Sequence, residues 1–163
     1  VYYKTKGVLG RNAPRVDAAR GQKTLLGTAR AIQAHCVLSA HDLSEGGLAA
    51  AAAEMALGGR LGVRIDTKLV PTDAAANGLD ATRRLFSESQ SRFLLEVAPD
   101  RLADLAANLH DVPFAVIGEV RNEPVVEFVD GARPLCKLPL DAIERAWKKP
   151  LDLDGTLVQE VVR

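Results

Sequence analysis

The chain has 163 residues, 21 Lys and Arg against 21 Asp and Glu, and 47% hydrophobic residues. That length suits one domain able to bury about two-thirds of its extended surface without disulfides or metal, and the composition argues against a disordered chain. A formal charge of zero removes the electrostatic case for binding nucleic acid or a membrane surface, and no run reaches the roughly 18 apolar residues of a membrane span.

The chain opens VYYKTKG, at Val1 and not at Met; a piece of a longer cytoplasmic protein without a secretory leader is expected. Residues 1–3 suggest a short strand, and Gly7, Gly10, Asn12 and Pro14 a loop. Residues 1–15 are thus an N-terminal strand and loop, 16–150 the domain proper and 151–163 a tail. Asp17 caps a helix reaching Ala34, with Leu25, Ala29 and Ile32 as its apolar face. CVLSA at 36–40 reads as a buried strand running into HDLSEGG at 41–47. The helix over 48–57 buries Leu48, Ala51, Ala52 and Met55 at helical spacing, and Gly58 and Gly59 end it.

Residues 62–66 form a strand, 71–79 a polar loop, and Asp80 caps a short helix through Phe86. After SESQSR at 87–92 comes a strand over 93–97, then a helix opened by Pro99 with Leu102, Leu105, Ala106 and Leu109 on one face. Strands follow at 114–120, 125–129 and 133–137, and a last helix carries Leu140, Ile143 and Trp147 to a stop at Pro150. Alternating strands and helices predict an α/β domain, mixed α+β in detail, its sheet covered by helices. Residues 93–120 read as a right-handed βαβ unit. Cys36 and Cys136 are expected to be two reduced, buried thiols.

Two polar clusters are framed by apolar elements. In HDLSEGGL at 41–48, Gly46 and Gly47 permit close approach of a ligand to backbone, and the first amides of the following helix suit an anion. Ser44 offers a hydroxyl; equally, Ser44 is placed to cap that helix and Glu45 to complement its dipole. His41 and Asp42 are adjacent on a strand and point to opposite sides, so a structural histidine is favoured over a catalytic pair. His35 and His110 fall at helix ends, where imidazole meets free carbonyls. In SESQSR, Ser89 and Gln90 can donate to phosphate or sugar oxygens, Glu88 can accept from hydroxyls or help hold a metal, and Arg92 carries a fork suited to phosphate. The alternative is a polar turn with Arg92 paired to Glu88 or Asp42. The candidate ligand-binding residues are therefore Asp42, Ser44, Gly46, Gly47, Glu88, Ser89, Gln90 and Arg92, with no catalytic residue and no metal ligand assigned, and the expected ligand is small and phosphorylated.

AHDLSEGGLAAAAAEMAL at 40–57, LFSESQSRFLLEV at 85–97 and FAVIGEV at 114–120 resemble the aminoimidazole ribonucleotide synthetase-like family. Within it the resemblance is to the C-terminal part of phosphoribosylformylglycinamidine synthases, synthetase subunit. APRVD at 13–17 and RAWKKPL at 145–151 fit as well, whereas the opening VYYKTKGV and residues 152–163 depart from the pattern. The resemblance implies a layered α/β/α domain with a mixed sheet, partly ferredoxin-like. It implies a ligase of purine biosynthesis that turns formylglycinamide ribonucleotide into its amidine. ATP activates the formamide oxygen, and glutamine-derived ammonia displaces phosphate.

In that family ATP and Mg belong to an N-terminal half, so none is expected to bind this chain tightly. The implied partners are that half, the enzyme's other module, a glutaminase subunit or domain, and a small phosphoribosyl substrate, with no nucleic acid and no membrane. The enzyme carries two copies of the module. His41-Asp42, where the first copy tends to have Gln-Asp, assigns this chain to the second, auxiliary copy. The triplet that contacts substrate in the first copy is matched by Glu88-Ser89-Gln90, on the pseudo-active side by that assignment. Alone, the chain is expected to be inactive; the competing readings are a non-catalytic scaffold for an ATP-binding half, or a domain of a related synthetase or kinase.

Overall fold

A computed structural model describes residues 2–9, 15–73 and 78–149. Pro150, the tail, and parts of the two loops expected around residues 10–14 and 74–77 lie outside the described residues. The elements are α1 (Tyr2–Thr5), α2 (Ala18–Gln33), β1 (Ser39–Asp42), α3 (Gly47–Gly59), β2 (Gly62–Asp66), α4 (Ala81–Phe86), β3 (Phe93–Glu96), α5 (Leu102–Asn108), β4 (Gly118–Arg121), β5 (Val125–Asp130), β6 (Arg133–Pro139) and α6 (Leu140–Lys148). Single 3-10 turns lie at Thr67–Leu69 and Pro99–Arg101.

The strands form two sheets. β1 and β3 make an antiparallel ribbon, and a second sheet has the order β4-β2-β5-β6. In the latter β2 runs parallel to β5 and antiparallel to β4, and β6 is antiparallel to β5. The fold is therefore mixed α/β with a mixed sheet, as the sequence suggests.

Helix α3 lies at the centre. Its sequence, GLAAAAAEMALGG, is apolar around its whole circumference with a single charge, Glu54, the pattern of a helix covered on all sides. Leu48, Ala52 and Ala56 join Ile65, Leu85, Val126, Phe128 and Leu140 in the main core, and Leu94 of the ribbon packs on the same cluster. The next residue on β3, Leu95, points the other way and packs into a second core of Ala31, Cys36, Leu105 and Leu109. The ribbon is thus sandwiched between α3 and the pair α2–α5, and α3 separates the ribbon from the four-stranded sheet. Alanines suit α3 because they keep helix propensity high while letting both neighbours approach.

Two caps form as the sequence indicates: Asp17 accepts from Arg20 N at 3.0 Å and Asp80 from Arg83 N at 2.8 Å. Other expectations are corrected. The start of the chain is helical, not extended, over Tyr2–Thr5, and the Tyr2 ring stacks on Phe86 at 4.5 Å between centroids. β1 begins at Ser39, three residues past buried Cys36, and β4 covers only Gly118–Arg121. No βαβ unit forms from 93 to 120, because β3 pairs with β1 and β4 with β2 in a different sheet.

On α2 the buried residues are Thr24, Gly27, Thr28 and Ala31, whereas Leu25 is 61% and Ile32 45% exposed. A Cβ on Gly27 would lie 3.1 Å from Leu109 Cδ2 and 3.3 Å from Val112 Cγ2, so close packing on α5 selects the small-residue face. Cys36 is buried but Cys136 is exposed, and Trp147 is 55% exposed. Gly58 and Gly59 sit inside the last turn of α3; the left-handed cap is Arg60, at φ 54°. Arg60 is anchored to Glu144 of α6, Nη2 donating to Oε1 at 3.1 Å.

Two measurements check this packing. Ala52 is 1% exposed between α3 and its neighbours, so Ala52→Leu should cost about 1–3 kcal/mol by overpacking, read as a fall in denaturation midpoint. The Glu144 carboxyl is held down to about 2 by its hydrogen bond with Arg60 and then that with Lys148. A carboxyl lowered in the folded state contributes stability above its unfolded value, which disappears as pH falls toward the folded value. The difference in thermal midpoint between parent and Glu144→Gln should therefore be present at neutral pH and shrink between the ordinary glutamate range and pH about 2.

Candidate functional site

The ribbon brings the two polar clusters together. Its register pairs Asp42 with Phe93, the last residue of β1 with the first of β3. HDLSEGG therefore leaves β1 where SESQSR enters β3, and Leu43 N donates to Arg92 O at 2.9 Å across the junction. Between them lies an open cleft of about 470 Å³. Of the expected residues, Asp42, Ser44, Glu88, Gln90 and Arg92 line it.

Gly46 and Gly47 follow the lining residues Ser44 and Glu45 in the chain but are not themselves part of the cleft lining. Both have positive φ, 78° and 61°. Gly46 is the N-cap of α3, with no side-chain cap bond, and its N–H donates to Glu88 Oε1 at 3.0 Å. That amide is the first cause holding the Glu88 carboxyl below its ordinary value. A Cβ on Gly47 would stand 2.6 Å from Ser87 O and 2.8 Å from Leu85 O, so the backbone of α3 touches the end of α4. Ser44 does not cap α3 through its hydroxyl; its carbonyl accepts from Gly47 N at 3.1 Å.

Arg92 is corrected too. Its guanidinium turns to main-chain carbonyls, Nη2 donating to Ser87 O and Nε to Ser89 O at 3.4 Å, in place of an ion pair with Glu88 or Asp42. Desolvation lowers its pKa, though a guanidinium stays charged at neutral pH. Ser89 is exposed and outside the cleft lining, its Oγ 3.5 Å from Ser87 Oγ.

The His41 ring has a partner at each nitrogen. Nε2 lies 2.8 Å from Glu54 Oε2 and Nδ1 2.6 Å from Asp42 O, so the one charge of α3 is met from the ribbon. His110 places Nδ1 3.2 Å from Ala107 O, as its helix-end position suggests.

Sequence reasoning missed Leu25, Leu43, Glu45, Ser91 and Phe93 as cleft residues. Ser91 adopts φ 60°, a left-handed conformation in a serine. Its Oγ comes 2.8 Å from where a Cβ on Gly21 would be, so glycine in α2 admits the loop. Leu25 enters the cleft from the face of α2 that the sequence suggests is buried. Among the described residues no three His, Cys, Asp or Glu side chains converge as a metal site, and no helix is long and apolar enough to cross a membrane.

A glycine-containing turn and a polar loop meeting beside a central alanine-rich helix define a mixed α/β domain with an open polar cleft. Residues 2–131 match the family described as "AIR synthase related protein, C-terminal domain", and the chain belongs to that family. It is 39% identical over 124 residues to phosphoribosylformylglycinamidine synthase subunit PurL of Thermococcus sibiricus, covering 76% of this chain and 17% of that protein. Against the same subunit of Moorella thermoacetica it is 36% identical over 148 residues, 89% of this chain and 19% of that protein. The chain thus spans less than a fifth of the length of these curated relatives. In fold it is similar to phosphoribosylformylglycinamidine synthase II of Thermotoga maritima, with a TM-score of 0.73 at 22% identity over 81% of this chain and 23% of that one. The E. coli hydrogenase maturation protein HypE gives 0.56 at 24% identity over 71% of this chain and 38% of that one.

Three substitutions test the turn. Gly47→Ala should cost more than about 1 kcal/mol, from positive φ and from contact with the Ser87 and Leu85 carbonyls, lowering the thermal midpoint by roughly 3 °C or more. Gly46→Ala should fall in the same direction, since its Cβ would meet Ala50 Cβ at 2.7 Å. Ser44→Ala should stay within about 0.5 kcal/mol of the parent, because no cap is lost.

Proposed function

We propose that the chain is the C-terminal domain of the second, auxiliary module of a phosphoribosylformylglycinamidine synthase, and that its cleft is one wall of a ligand site completed by the rest of the enzyme. The whole enzyme would be the ATP-dependent ligase that makes formylglycinamidine ribonucleotide with glutamine-derived ammonia, in the cytoplasm. The observation that carries this reading is the meeting of HDLSEGG and SESQSR at one cleft, in a chain 39% identical to a synthase subunit. The T. maritima relative is described in complex with FGAR and with ATP, and as part of an assembly named PurLQS. Those descriptions support a phosphoribosyl substrate, an ATP-binding half and a glutaminase as partners here.

The cleft does not fit a polyphosphate. Asp42, Glu45 and Glu88 present carboxylates to it against the single guanidinium of Arg92. ATP and its Mg are therefore assigned to the missing half, and no step is routed through them in this domain.

The chain alone, mixed with formylglycinamide ribonucleotide, ATP-magnesium and ammonium, should release ADP at the background rate. Turnover above background would contradict the assignment. A scaffold role is favoured by one feature, the guanidinium of Arg92 folded onto Ser87 and Ser89 carbonyls. In the complete enzyme, Arg92→Ala with a changed substrate KM supports the ligand wall; a lowered thermal midpoint with KM unchanged supports the scaffold.

A further inference from the structure

We infer that the outer edge of β4 is a docking surface for a second copy of this chain, the two β4 strands pairing antiparallel about a two-fold axis at Val120. This surface belongs to the four-stranded sheet and not to the ribbon that carries the cleft. β4 ends one side of that sheet, and among the described residues it pairs only with β2. Asp66 N donates to Ile117 O at 2.8 Å. Alternate residues of an antiparallel ladder turn both backbone groups the same way. Ile117, Glu119 and Arg121 therefore face β2, whereas Gly118 and Val120 present N–H and C=O to the open side. Such an edge is a template for another strand. The segment FAVIGEV at 114–120 holds strand-forming residues, one charge and no proline, and Phe114, Val116 and Val120 are exposed. The opposite edge, β6, is blunted by Pro134, Lys137 and Pro139.

Charge selects both the occupant and the register. Glu119 and Arg121 flank Val120 on one face of the sheet, Arg121 Nη2 lying 2.6 Å from Glu119 Oε1. An axis at Val120 sets Glu119 of each copy directly opposite Arg121 of the other, and Val120 against Val120. The strand is thus complementary to its own reverse, as a two-fold contact requires. An axis at Glu119 or at Arg121 would oppose like charges, and one at Gly118 would leave Glu119 opposite Ile117. The neighbouring charges do not upset this balance: Arg64 Nε lies 3.4 Å from Glu127 Oε2, which also stands 3.4 Å from Arg121 Nη1.

The test is sedimentation equilibrium of the 163-residue chain from about 10 μM to about 1 mM, with amide NMR over the same range. A short strand pairing buries little surface, so a Kd on the order of 100 μM is expected. The Gly118 and Val120 amide signals should move with concentration, and those of Glu119 and Arg121, already turned to β2, much less. Arg121→Glu and Glu119→Arg each place like charges across the axis, and each should weaken self-association at least about tenfold. An equimolar mixture of the two variants restores opposite charges at both pairs and should associate as the parent does. A parent that stays monomeric, Gly118 and Val120 signals that ignore concentration, a variant that associates as tightly as the parent, or a mixture no tighter than its components would each overturn the inference. The parent measurements need no substitution, so they decide the matter even if a variant fails to fold.

Discussion

Four residues on each of two strands decide where the chemistry of this domain sits. The antiparallel register of Ser39–Asp42 with Phe93–Glu96 puts the end of one strand beside the start of the other. A slip by one residue would turn every ribbon side chain to the opposite face. Leu94 would then leave α3, Leu95 would leave the second core, and His41 would lose Glu54. The two cores thus fix the register, and the register fixes the cleft.

The cleft is a place where the chain has largely satisfied its own polar groups. Glu88 rests on the Gly46 amide, and Arg92 on the carbonyls of its own loop. Such internal bonds are what hold a polar loop rigid beside a buried helix, since an unpaired buried group there would cost about 1–3 kcal/mol. The same bonds leave the carboxylates of Asp42 and Glu45 facing outward, which gives the site its acidic character.

Much of this was legible in the sequence, for local reasons. Asp17 and Asp80 announce their helices by capping chemistry, and the alanine run of α3 announces a helix that packs closely on its neighbours along a buried stripe. The two polar clusters stand out because apolar elements frame them. What was illegible depends on partners. Leu25, Ala29 and Ile32 make as good a helical stripe as Thr24, Gly27, Thr28 and Ala31, and only the proximity of α5 decides for the small residues. Strand pairing across sheets is equally silent, so β3 and β4 read as neighbours when they are not. Ser91 carries no sequence cue for its left-handed backbone, because that conformation is imposed by the loop around it.

The central claim is that an ionised Glu88 joins the two segments through the Gly46 amide. The direct measurement is the pH dependence of the Gly46 amide signal. A carboxyl lowered by this contact keeps it above its ordinary range and gives it up as pH falls through the folded value. The Gly46 signal should therefore move with a midpoint below that of an ordinary glutamate, and the movement should vanish in Glu88→Gln. A Gly46 signal that stays fixed from about pH 6 to pH 2, or one that titrates at or above the ordinary glutamate value, would contradict it.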